Sequence, residues 1–170
     1  MNNIYLTGMM GCGKTTIGQL LKEKLGISLY DLDTEIIAKA KMSIDDIFKK
    51  YGEPHFRKLE SQVLQKISQK NNSIVACGGG VILNESNVQV MKNTGIVVYI
   101  KRLPGDIVLD VVTKNRPLIK DDIQKIFTIY EARKQLYEQT ANFTVKNKGK
   151  ITSVVTKIVR IYNKSFQKLG

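Results

Sequence analysis

The sequence has little of several residue types that would mark other protein classes. It holds two cysteines, Cys12 and Cys77, too few for a disulfide framework. It opens with no basic stretch followed by an apolar one, and together these features predict a reducing, cytosolic setting. No apolar run approaches the ~18 residues that a membrane span needs. The single histidine, His55, has no cysteine or histidine partner at metal-binding spacing and reads as a surface residue. There is no internal repeat, no Ser/Gly/Pro-rich linker and no low-complexity block. Acidic residues are scarce, 15 against 27 lysines and arginines, which leaves a net charge of +12. Such an excess points to an anionic partner: a nucleotide, an acidic metabolite, nucleic acid or a membrane.

What is present is globular. The 170 residues are 42% hydrophobic and 25% charged, which excludes disordered and fibrous chains. A chain of this size buries about 70% of its unfolded surface, and one domain spanning 1–170 is expected. Short apolar runs at residues 4–7, 27–30, 74–77, 96–100 and 141–145 read as strands. They are continuous rather than alternating, as in a parallel sheet covered on both faces. Helices are expected between them. Ile17, Leu20, Leu21 and Leu25 follow helical spacing, with Gly26 as a C-terminal stop. Ser43 and Asp46 form a capping box, Gly52 stops that helix, and Pro54 opens the next. Further helices fit residues 87–93, 104–113 and 123–138. Ile151, Val154, Val155, Ile158 and Tyr162 mark a last one. Strands alternating with helices predict an α/β fold, whose ligands sit beyond the carboxyl ends of the strands.

The segment Gly8-Met-Met-Gly-Cys-Gly-Lys14-Thr15 matches G-x-x-x-x-G-K-[ST] and lies between a strand and a helix. Its glycines let successive backbone N–H groups face phosphate oxygens, and the helix N-terminus adds a favourable dipole. Gly11, Cys12, Gly13, Lys14, Thr15 and Thr16 are therefore expected around the phosphates of ATP, with Lys14 on the β- and γ-phosphates and the Thr15 hydroxyl on Mg²⁺. Cys12, close to Lys14 and a helix N-terminus, has features that favour a reactive thiolate. Burial as a small apolar side chain is the plainer expectation for both cysteines.

The acceptor has to be read elsewhere. Asp31 and Asp33 close the second strand, where chain passing into a loop lets one carboxylate face Mg²⁺ and the other a second ligand. Arg57 and Glu60 are helical neighbours, so the glutamate can hold a guanidinium ready for a carboxylate. Gly78-Gly79-Gly80 follows a strand and allows close backbone approach. Residues 113–122 have little apolar content and suit a lid that carries Arg116 onto the phosphates. Arg133 lies on the following helix.

Taken together, these residues resemble shikimate kinase. The matching strings are Gly8 to Thr15, Asp31-x-Asp33, Ile47-Phe48, Gly52-Glu53-x-x-Phe56-Arg57-x-x-Glu60, the triple glycine, Arg116-Pro117-Leu118, and Tyr130-Glu131-x-Arg133-x-x-x-Tyr137. The resemblance implies a nucleoside-monophosphate-kinase type of fold, a three-layer parallel sheet in the order 2-3-1-4-5. It implies ATP-dependent phosphorylation of the 3-hydroxyl of shikimate, a step towards chorismate and the aromatic amino acids, with one Mg²⁺; the lack of an obvious apolar surface stripe makes a monomer the expected state. Asp33 would bind substrate hydroxyls and act as base, and Arg57 and Arg133 would bind the carboxylate. Gly79 would donate its N–H, Phe56 and Glu60 would complete a substrate region at about 32–60, and Asp31 would stand behind the water shell of the metal on Thr15. Lys14 and Arg116 would be catalytic. The sequence departs from the family at Cys77, where threonine is common, at Leu109, where many members carry arginine, and around Asn147 to Lys150. Another small-molecule kinase, such as a gluconate kinase, is the nearest alternative reading, and a basic nucleic-acid-binding NTPase a more distant one. The stretch 146–170 carries seven basic residues and no acidic one; Lys157, Arg160, Lys164 and Lys168 share a helix face that reads as solvated rather than as a nucleic-acid patch.

Overall fold

Five runs of branched and aromatic residues form strands: β1 (Asn3–Thr7), β2 (Ser28–Asp31), β3 (Ser73–Ala76), β4 (Gly95–Lys101) and β5 (Phe143–Lys146). The computed structural model describes residues 2–113 and 120–166, and their side chains except at 111–113 and 120–122. All strand pairs are parallel, in the order β2-β3-β1-β4-β5, as the resemblance implied. The interior strands are buried along almost their whole length because helices cover both faces of the sheet. Those helices are α1 (Lys14–Leu25), α2 (Leu32–Ala40), α3 (Ile44–Ser68), α4 (Glu85–Thr94), α5 (Pro104–Thr113), α6 (Lys120–Thr140) and α7 (Ile151–Phe166).

Local signals set several of these boundaries. Gly26 takes the left-handed conformation at φ 66° and returns its N–H to the Lys22 carbonyl. The Ser43 hydroxyl accepts the Asp46 N–H at 3.1 Å and donates to the Asp46 carboxylate at 2.6 Å. Gly52, at φ 78° and ψ 173°, kinks α3 just ahead of Pro54, where two helices meet end to end. At the amino ends of the strands a buried polar cluster closes the core: the Asn3 amide donates to the Ser68 carbonyl at 3.1 Å and accepts the Ser73 N–H at 3.0 Å. Along α7, Val154, Val155, Ile158 and Tyr162 are buried, while Lys157, Arg160 and Lys164 face solvent as expected. Lys168 lies outside the described residues.

One boundary differs. The stretch after Asp31 is not a loop but helix α2. Asp31 ends β2 and caps the helix, its Oδ1 accepting the N–H groups of Asp33 and Thr34 at 3.1 and 3.2 Å. Asp33 therefore sits in a first helical turn, where a carboxylate also meets the positive end of the helix dipole. A short 3-10 turn at Val81–Leu83 was likewise not anticipated. The carboxyl ends of the strands, opposite the Asn3 cluster, hold the residues described next.

Candidate active site

The loop between β1 and α1 is held open by its own lysine. Lys14 Nζ donates to the carbonyls of Gly8 and Met9, at 2.8 Å each, so its ammonium lies across the loop's concave side. Gly13 takes φ 100° at the helix start, which a residue with a Cβ adopts only at a cost. Gly11, Gly13, Lys14, Thr15 and Thr16 line a cleft of about 740 Å³. Cys12 does not line it: its side chain is wholly buried and its N–H is bonded to the Met9 carbonyl. Cys77 is buried too, and burial first, then the nearby Glu60, pushes its thiol well above the usual range. Both cysteines are packing residues here, against the reading of Cys12 as a reactive thiol.

Thr15 Oγ1 donates to Asp31 Oδ2 at 2.9 Å. A hydroxyl and a carboxylate side by side at the mouth of the loop are hard oxygen donors, the type Mg²⁺ prefers. Among the described residues no group of three or more His, Cys, Asp or Glu could hold a metal unaided. Two protein oxygens with phosphates and water suit Mg²⁺, which keeps much of its hydration.

Beyond Asp31, α2 carries Asp33 into the same cleft. Burial, then the Asp31 charge, raises the Asp33 pKa above its ordinary 3.8, and Lys14 and Arg57 oppose that rise. Arg57 is pinned along α3. Its Nε and Nη2 donate to Glu53 Oε1 at 3.1 and 3.0 Å, and its Nη1 donates to Glu60 Oε2 at 2.8 Å. Burial works against the Arg57 charge, but Glu60 and Glu53 outweigh it and the pKa moves up. A guanidinium has five N–H groups; these bonds use three and leave one on each terminal nitrogen, the pair that a carboxylate can accept side by side. Glu60 is 1% exposed, and its pKa is raised by burial against the pull of Arg57. Its Oε1 has no hydrogen-bond partner among the described residues. Phe56 is buried, 4.7 Å from the Phe48 ring and beneath the guanidinium, so it supports Arg57 rather than lining the cleft. Arg57 itself borders not that cleft but a smaller hollow, with Glu53, Pro54, Leu83 and Asn84.

The triple glycine makes room for these groups. A Cβ on Gly80 would overlap the Arg57 guanidinium, and one on Gly78 would meet Glu60 Oε1 at 3.0 Å and Asp33 Oδ1 at 3.1 Å. Gly79 presents its carbonyl to Arg133 Nη1 at 3.2 Å and to the Tyr137 hydroxyl. Both donors come from α6, more than fifty positions along the chain. Tyr137 is buried and stacked on Tyr99, and burial pushes its phenol up to about 12, so it stays protonated and donates. The described contacts of Gly79 thus run through its carbonyl, which orients the peptide whose N–H was expected to face the substrate.

On the other side of the loop, Arg102, Ile107, Asp110, Asn147 and Ile151 line the cleft. The Asn147 side chain donates to the Cys12 carbonyl at 2.9 Å, tying the end of β5 to the loop. Arg116, and most of the lid expected at 113–122, lie outside the described residues.

The shikimate kinase family model matches residues 10–163 of this chain. The chain belongs to the shikimate kinase family. A shikimate kinase of Clostridium botulinum is 36% identical over 160 residues, which cover 94% of this chain and 96% of that one. A solved shikimate kinase from Acinetobacter baumannii in complex with shikimate superposes with a TM-score of 0.87 at 35% identity, covering 98% of this chain and 95% of that one. A gluconokinase from Sinorhizobium meliloti, at 12% identity and a TM-score of 0.63, shares the fold alone.

The sequence pattern points to the Arg57–Glu60 pair but assigns no role to Glu53, although it stands at i−4 from Arg57 on one helix face, the spacing at which such pairs meet. Tyr137 was quoted in the family string without a role. Arg102 and Asn147 had one weak signal, their position just past the carboxyl ends of β4 and β5. The Gly80 contact makes a testable prediction. Gly80→Ala should displace the Arg57 guanidinium and raise the KM for the acceptor about tenfold or more, while Mg-ATP binding changes less than twofold, a split that steady-state kinetics and calorimetry resolve. An unchanged acceptor KM would show that Arg57 is free to move aside.

Proposed function

We propose that this chain transfers the γ-phosphoryl group of ATP to the 3-hydroxyl of shikimate, with Mg²⁺, giving ADP and shikimate 3-phosphate. The observation that carries the reading is the position of Asp33: a half-buried carboxylate of raised pKa between the phosphate loop and a fixed guanidinium. Backbone N–H groups of the loop and Lys14 bind the β- and γ-phosphates. Thr15 would hold Mg²⁺ directly, with Asp31 behind its water shell, and the ion would supply neutralisation of the phosphate charge. Arg57 and Arg133 bind the shikimate carboxylate and fix the ring. Asp33 orients the hydroxyl and takes its proton as the new O–P bond forms and the bond to the β-phosphate oxygen breaks. The raised pKa of Asp33 makes it a stronger base than an ordinary aspartate. The free oxygen of Glu60 accepts from the acceptor or from a water beside it. Arg116 on the phosphates completes the reading.

ADP release with Mg-ATP and a panel of shikimate, gluconate and nucleoside monophosphates tests the assignment: shikimate alone should support turnover. Release with gluconate or a nucleotide, and none with shikimate, would overturn it. Arg57→Lys probes the anchor. An ammonium cannot make two parallel bonds to a carboxylate, so affinity for shikimate should fall by about 2 kcal/mol, roughly thirtyfold. An analogue lacking the carboxylate should bind wild type and variant alike; if the variant still discriminates against it as strongly as wild type does, Arg57 is not the anchor.

A further inference from the structure

Two buried tyrosines lie side by side behind the triple glycine, and their hydroxyls differ in what they hold. Tyr99 on β4 and Tyr137 on α6 stack with ring centroids 5.0 Å apart and planes 12° from parallel. The Tyr99 hydroxyl is buried with no hydrogen-bond partner among the described residues. The Tyr137 hydroxyl donates to the Gly79 carbonyl, and Arg133 Nη1 donates to the same oxygen at 3.2 Å. Residues four apart share a helix face, so Arg133 and Tyr137 come to that carbonyl together. A carbonyl oxygen has two lone pairs, enough for both donors.

The two donors also differ in how firmly they are set. Tyr137 is wholly buried against Tyr99, and burial pushes its phenol up to about 12, so it remains a donor at neutral pH. Arg133 is half-buried and makes no ion pair among the described residues, whereas Arg57 is paired with Glu53 and Glu60. Two glutamates aim Arg57; a neutral carbonyl aims Arg133. We propose that Tyr137 is a positioning residue for the acceptor: its hydroxyl fixes the Gly79 carbonyl, and that carbonyl sets the Arg133 guanidinium for the substrate carboxylate. The role of Arg133 in this inference rests on the proposed function. A neutral anchor has a chemical advantage here. A glutamate holding Arg133 would compete with the incoming carboxylate for the same N–H groups and repel it, and a peptide oxygen fixed by a phenol does neither.

The test deletes one hydroxyl at a time. Tyr137→Phe keeps the ring and its stacking and removes only the donor. It should raise the KM for shikimate, and the Kd measured by calorimetry, about tenfold, with kcat and Mg-ATP affinity within twofold of wild type. Tyr99→Phe removes the neighbouring buried hydroxyl and should leave all of these within twofold. A double-mutant cycle traces the route: in an Arg133→Met background, Tyr137→Phe should change the shikimate Kd by less than twofold. Unchanged shikimate affinity in Tyr137→Phe would overturn the proposal and leave the hydroxyl a packing contact. A tenfold effect that persists in the Arg133→Met background would overturn it too, because Tyr137 would then act by another route. So would an equal loss in Tyr99→Phe, since disturbance of the stack would explain both. Thermal melts confirm that the variants fold. A wild type that phosphorylates another acceptor of the panel and not shikimate counts against the proposed function, and the same comparison run with that acceptor still decides the role of Tyr137.

Discussion

Lys14→Ala should lower turnover by about a hundred- to a thousandfold, roughly 3–4 kcal/mol of transition-state stabilisation, the range found when one preorganised donor is removed. Two effects combine. Charge builds on the phosphoryl oxygens and the leaving group as transfer proceeds, and an ammonium aimed there stabilises the transition state more than the bound ATP. Nζ also holds the Gly8 and Met9 carbonyls at 2.8 Å, so the alanine variant loses the brace that keeps the loop open. Mg-ATP affinity should weaken alongside turnover. Folding should not suffer greatly, because the side chain is only half-buried and no apolar core surface is lost. Single-turnover measurements with a melting curve check both halves. Turnover within tenfold of wild type would remove this loop from the reaction.

Asp33→Asn should produce the second large effect, in opposite directions for activity and stability. The amide keeps the shape but takes no proton, so turnover should fall by about a hundredfold or more, while Mg-ATP affinity changes little. The fold, in contrast, should become more stable at neutral pH. Burial, then Asp31, raises the pKa of Asp33 above 3.8. A carboxyl group whose folded pKa is raised contributes stability that is fully present below its unfolded value and lost as pH rises through the folded value. At pH 7 the charged form is therefore a net cost, and asparagine does not bear it. The variant should melt above wild type at pH 7, with the gap closing as pH falls below the folded pKa of Asp33. Glu60 shifts the same way, chiefly through burial, so it too lowers wild-type stability as pH rises through its own folded pKa. A variant that melts lower at pH 7 would mean that Asp33 is stabilised by partners stronger than its desolvation. Loss of ATP binding with acceptor binding intact would place it on the wrong ligand.

How far these residues could be read in advance follows from how close their partners lie along the chain. The Ser43 cap, the Gly26 stop and the Arg57–Glu60 pair are local, formed within one turn or so of helix, and the residue types at those spacings announce them. Asp31 shows how a local signal can still mislead. An Asp-x-Asp pair at the end of a strand is compatible with a loop, and what makes it a helix cap is the apolar face that α2 buries through Leu32 and Ile36. The pairing of Glu53 with Arg57 is legible by spacing but carried no role, because Glu60 already satisfies the expectation for Arg57.

By itself the sequence determined the phosphate loop, the alternation of strand and helix, and the helical pairing that fixes Arg57. Each depends on neighbours a few residues apart, whose geometry is set by backbone periodicity and side-chain type. The rest was decided by tertiary structure. Arg57 lying against Gly80, Arg133 and Tyr137 meeting on the Gly79 carbonyl, Asn147 bonded to Cys12, and Arg102 braced between Gly11 and Asp110 depend on which strand lies beside which. Local pattern leaves that order open, because many arrangements bury the same apolar runs. Packing the helices over both faces of the sheet selects one arrangement, and only then do residues up to 135 positions apart come within hydrogen-bond distance.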